Sequence, residues 1–149
     1  MKLALMLHLL GVVIWVGGMF FAYMALRPAA AKLLEPPQRL PLWSAALGRF
    51  FNWVWLSIAL VLGSGFHMIS VIAELGKVPL YAQAMLYIGI VMTLIFGHVY
   101  AAPFAVLKRA VAAQDWKAGG VALNRIRIAV AINLSLGLLN IVIATAGAM

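Results

Sequence analysis

Three histidines, His8, His67 and His98, and two asparagines, Asn133 and Asn140, stand in stretches that are otherwise free of charge. Methionines accompany them, among them Met6, Met19, Met24, Met68, Met85 and Met92. Imidazole together with thioether suits a soft ion such as Cu(I). Two imidazoles at equal depth on facing helices would equally suit haem iron. The chain has no cysteine, which excludes thiolate metal sites, iron–sulfur clusters and cysteine nucleophiles. Its only acids are Glu35, Glu74 and Asp115. So few carboxylates disfavour Mg, Ca and Mn, which want oxygen ligands. Zinc would call for a third strong ligand.

The elements that must position these groups follow from where charge is missing. Of 149 residues, 66% are hydrophobic and 9% charged, whereas a soluble domain is about a quarter charged. A soluble fold of this size could not hide so much apolar surface. Residues 3–26, 50–73, 78–107 and 128–149 contain no Asp, Glu, Lys or Arg, and each gap exceeds the ~20 residues that cross a hydrocarbon core. The ten-residue alternation of a membrane β-barrel is absent. The expectation is an all-α integral membrane protein, an up-down bundle of four transmembrane helices at about 3–26, 50–73, 79–107 and 126–147, forming one domain. Lys2 and the apolar run after it could suggest a signal peptide, but the run is longer than the usual apolar segment of 7–15 residues. It is read as helix 1.

Cations give an orientation. Arg27, Lys32, Arg39 and Arg49 lie between helices 1 and 2, and Lys108, Arg109, Lys117, Arg125 and Arg127 between helices 3 and 4. The other face has Lys2 and Lys77. This bias places the basic loops in the cytoplasm and both termini in the periplasm of a bacterial inner membrane. The net charge of +8 is then a rim beside anionic lipid and implies no nucleic acid. Pro36, Pro37 and Pro41 are read as breaking the first loop, residues 115–120 as breaking the second, and Pro103 as kinking helix 3.

Depth decides which groups can meet. At about 1.5 Å rise per residue, His8 lies ~9 Å below Lys2 and His67 ~10 Å below Glu74, in one outer layer. Met85 and Asn140 fall in that layer too. Met68 follows His67 but points about 100° away around the helix. His98 lies ~28 Å below Pro79 and forms a separate, deeper position. His8 and His67 are therefore the expected ligand pair, with Met85 assisting and His98 as a second stop. Asn133 and Asn140 are expected chiefly to join helices. Trp15, Trp53 and Trp55 are expected to pack or to anchor at the interface, and Trp53 and Trp55 would also sit well beside a porphyrin or quinone.

The stretch from Leu7-His8 through Trp15 to Gly17-Gly18-Met19, followed by Arg27-Pro28, resembles the opening helix of CopD-type copper resistance membrane proteins. Arg49-Phe50-Phe51, His98 with Tyr100 and Pro103, Ile126-Arg127, Asn133-Leu134 and Leu136-Gly137 resemble short stand-alone members of that family. The resemblance implies a copper-binding inner-membrane protein in copper transport or resistance, with Cu(I) as the metal. It also implies a periplasmic copper-binding partner or self-association. A remoter resemblance, to four-helix haem-binding proteins of the HemJ type, rests on the same His, Trp and Gly spacing in helix 1. It implies haem b as the alternative cofactor, held by His8 and His67 near Trp15 and Asn140, with a role in electron transfer. Residues 78–107 have no Lys of the kind those porphyrin oxidases carry in a span, so HemJ-like porphyrin oxidation stands behind electron transfer as a haem-based alternative.

Overall fold

A computed structural model describes all 149 residues. It is entirely helical. Helix α1 (Lys2–Phe21) passes through a π-helical turn at Ala22–Leu26 into α2 (Arg27–Leu33). Then come α3 (Pro36–Leu75), α4 (Leu80–Ala101), α5 (Pro103–Ala112) and α6 (Trp116–Gly147). Four segments are long and apolar enough to cross a membrane: Lys2–Leu33, Pro36–Leu75, Leu80–Ala112 and Trp116–Gly147. Large apolar side chains such as Val13, Phe21, Phe66 and Leu94 cover the outside, as lipid contact requires. The protein is a four-helix membrane bundle. Both termini and the α3–α4 turn lie at one end, here the terminal end. The 34–35 and 113–115 connections lie at the other, the basic end.

The helices are longer than the charge-free gaps. Helix α3 has 40 residues, about 60 Å at 1.5 Å each, or twice the ~30 Å hydrocarbon core. It begins at Pro36, well before the expected start at 50, and the prolines do not break it. Pro36 and Pro37 occupy the first turn, where backbone N–H groups lack helical partners anyway. Pro41 removes only the bond to the carbonyl one turn back. Leu40 and Trp43 are buried and hold this extension against α6, where a β-carbon on Gly119 would come 3.1 Å from Leu40 Cδ1. Residues 115–120 do not form a loop either. The Asp115 carboxylate caps α6 by accepting from the Ala118 N–H at 3.1 Å, and Gly119 and Gly120 lie inside the helix. Pro103 does more than kink its span. Ala102 leaves helical geometry (φ −115°, ψ −83°), and α5 restarts with Pro103 in its first turn.

At the terminal end, α3 stops at Gly76, whose φ of 152° strongly favours glycine. The helices pack most closely as two pairs, α1 with α3 and α4 with α6. Small residues permit both approaches. A β-carbon on Gly11 would stand 2.7 Å from Val61 Cγ2 and 3.0 Å from the Ser57 carbonyl oxygen, and one on Gly18 would overlap the Phe50 ring. The second pair is tied by a heptad: the Asn133 and Asn140 amides donate to the Met92 and Met85 carbonyls at 3.1 and 3.2 Å. At mid-bundle an aromatic layer closes the interior. Phe96 packs edge-on against Trp15, Phe51 and Trp55 at centroid distances of 6.5, 5.2 and 4.9 Å, and Phe51 packs on Phe104 at 4.8 Å.

Candidate metal centre

A cavity of about 380 Å³ opens on the terminal side of that aromatic layer, among α1, α3, α4 and α6. Its wall is mostly apolar. The donors in it are His8, the thioethers of Met68, Met85 and Met92, the Asn140 amide and the Tyr81 and Thr145 hydroxyls, with no carboxylate among them. Trp15 closes its inner side.

Helix α3 presents Val61, Ser64, Gly65 and Met68 along one stripe, at i, i+3, i+4 and i+7. His8 on α1 lies against this stripe. Its Nδ1 is 3.0 Å from both the Val61 carbonyl oxygen and Ser64 Oγ. A β-carbon on Gly65 would stand 3.5 Å from the ring's Cε1, so glycine there lets the imidazole rest on the α3 backbone. These contacts assign the tautomer. The Val61 carbonyl can only accept. The Ser64 hydroxyl donates to the Leu60 carbonyl, so its oxygen is left to accept as well. Nδ1 therefore carries the hydrogen, and Nε2 keeps its lone pair. Metal-binding histidines commonly have this arrangement, in which one ring nitrogen donates to a backbone carbonyl and the other faces the ion.

Across the cavity, Asn140 donates one amide hydrogen to the Met85 carbonyl, while its Oδ1 is buried without a partner. A buried acceptor left unpaired costs about 1–3 kcal/mol. It is a polar atom available to a ligand. Asn133 Oδ1 is likewise unpaired, but it lines a void of only about 20 Å³ inside the aromatic layer.

The structure thus brings His8, Met85, Trp15 and Asn140 to one cavity, and it adds Met68 and Met92. It does not bring His67 there. His67 is exposed, lies off the stripe, and is represented in the wall by its neighbour Met68. The two imidazoles do not face each other across one space, as a shared ion or a bis-imidazole haem would require. His98 is exposed on α4, next to the buried Val99, and does not line the His8 cavity. Trp53 and Trp55 are partly exposed on the bundle surface. No group of three or more His, Cys, Asp or Glu side chains is close enough to hold an ion. Depth alone could not separate His67 from Met68. The small pair Ser64-Gly65 at stripe spacing is the signal that does.

No curated protein and no solved structure matches the chain. A family model does, over residues 44–147, and its description is copper resistance protein D. The match takes in most of α3 and almost all of the chain that follows; it leaves out α1, which carries His8. With more than two thirds of its length matched, this chain belongs to the CopD family of copper resistance membrane proteins.

Proposed function

We propose that the cavity on the terminal side takes Cu(I) as cargo, with His8 Nε2 and the Met85 thioether as its principal donors. Met68 and Met92 offer further soft donors, and the free Asn140 oxygen adds negative potential. The observation that carries this reading is the His8 ring, which has its Nδ1 hydrogen committed to α3 and its second nitrogen free, in a wall holding three thioethers and no carboxylate. Soft donors without carboxylates select Cu(I) over hard divalent ions. Membership of a copper resistance family points the same way. By the distribution of cations, the basic end faces the cytoplasm of an inner membrane and the cavity opens toward the periplasm.

Cu(I) titration of the detergent-purified full chain, competed against a chromophoric chelator, tests this. The wild type is expected to bind about one ion per chain. His8→Ala should abolish binding, Met85→Leu weaken it, and His67→Ala leave it unchanged. Wild-type affinity in His8→Ala would overturn the proposal. So would a Soret band in the purified protein that shifts on reduction, because it would assign the site to haem.

A further inference from the structure

A second cavity, of about 370 Å³, lies at the basic end, among the π-helical turn, α2, α3 and α6. Its polar side carries Arg27, Arg39 and Arg127, with no carboxylate in the lining. Three guanidiniums thus line one cavity without a counter-charge, an arrangement that favours an anion between them. Each is held in place yet left with free donors. Arg27 donates Nε to the Tyr23 carbonyl at 3.2 Å and stacks on the Tyr23 ring at 4.4 Å. Arg39 reaches the Leu34 carbonyl at 3.4 Å. Arg127 gives Nε and Nη2 to Asn124 Oδ1 at 3.1 and 2.8 Å. All these acceptors are neutral, and a guanidinium has five N–H donors.

The local fold is shaped around this group. The Arg27 N–H bonds to the Ala22 carbonyl five residues back, and Pro28 has no N–H to offer. The widened turn frees the Tyr23 carbonyl for the Arg27 side chain. Single π-turns inside helices occur frequently at functional positions. Most of the remaining wall is apolar, with Trp43, Leu47, Trp116 and Val130 among its residues.

We infer that this cavity is a binding site for a phosphate-ester anion, whose charge lies among Arg27, Arg39 and Arg127 while its organic part rests on the tryptophan-lined wall. Planar guanidiniums pair with phosphate oxygens in a bidentate manner. The same chemistry is presented by the headgroup of an acidic phospholipid and by a soluble phosphate monoester. The site is separate from the His8 cavity, and its test does not involve copper.

Native mass spectrometry of the full chain, released from neutral detergent, distinguishes the sources. Phosphatidylglycerol, phosphatidylcholine and sn-glycerol phosphate would be offered separately. Retained phosphatidylglycerol with no glycerol phosphate adduct assigns the site to a lipid headgroup; a glycerol phosphate adduct assigns it to a soluble ester. In either case Arg27→Gln/Arg39→Gln should weaken binding at least tenfold. Lys117→Gln/Arg125→Gln, which removes the same charge from exposed positions outside the cavity, should leave it unchanged. Arg127→Gln, at an exposed position, gives a second reading should the Arg27/Arg39 variant not fold. Equal weakening in the cavity and control variants would overturn the inference, as would no preference for phosphatidylglycerol or glycerol phosphate over phosphatidylcholine, whose headgroup has no net charge.

Discussion

Replacing Gly11 by Ala tests whether the close approach of α1 and α3 sets up the His8 ring. The added methyl would stand 2.7 Å from Val61 Cγ2, 3.0 Å from the Ser57 carbonyl oxygen and 3.2 Å from Leu60 Cβ. Val61 can rotate away, but the other two atoms are tied to the α3 backbone. Carbon contacts settle at about 3.5–4.0 Å, so the helices must part by roughly 0.5–1 Å. His8 is three residues away on the same face of α1, only ~4.5 Å along the axis. Its two contacts with α3, now 3.0 Å, would open beyond the ~3.2 Å limit of an N–H···O bond. Losing the partner that orients a ligand histidine typically costs 10–100-fold in metal affinity. We expect about tenfold weaker Cu(I) binding in the competition titration, and a stability loss of about 1–3 kcal/mol from overpacking. Gly17→Ala is the matched control, because a β-carbon there meets nothing within 4 Å. Wild-type copper affinity in a folded Gly11→Ala protein would refute the argument that helix spacing holds the ring.

Asn133→Leu removes the bond to the Met92 carbonyl. Hydrogen bonds between membrane helices average about 0.6 kcal/mol and reach about 1.7, and the substitution also removes an unpaired buried oxygen. The expected loss is therefore at most ~1 kcal/mol; unfolding in a denaturing detergent measures it, and a loss above 2 kcal/mol contradicts this balance. Asp115→Ala deletes the α6 cap at a cost of about 1 kcal/mol. Amide exchange at Ala118 should accelerate, and Asp115→Asn should restore most of the protection. His98→Ala, at an exposed position outside the His8 cavity, should leave Cu(I) stoichiometry unchanged; a lost ion would make His98 a ligand after all.

The spans, their number and the family were legible because lipid imposes one strong rule, the exclusion of charge, and because the motif residues are distinctive. Rotation about each helix was less legible. Depth put His8 and His67 in one layer, yet 100° of turn separates a cavity residue from a lipid-facing one, and Met68 rather than His67 lies on the face toward α1. Helix length was underread for a related reason. Proline and glycine at 36–41 and 119–120 resemble loop punctuation. Their effect depends on position within a helix and on buried neighbours such as Leu40 and Trp43. The π-turn at Ala22–Leu26 has only Arg27-Pro28 as a sequence cue.

The aromatic layer of Trp15, Phe51, Phe96 and Phe104 has an electrical consequence. It separates a cavity with soft donors from one whose polar side carries three guanidiniums, and in the proposed inner-membrane setting a membrane potential would fall partly across it. Moving one elementary charge through 100 mV changes its energy by about 2.3 kcal/mol. In the proposed orientation, with the basic end inside, the resting voltage would draw a monovalent cation through this layer. The ion would then emerge beside Arg27, Arg39 and Arg127, each of which repels it. Voltage and fixed charge oppose one another on that route, so the two cavities make poor consecutive stations for a bare cation. On the two readings proposed above, the layer would insulate a compartment for a soft cation from one for an anion within a single small bundle.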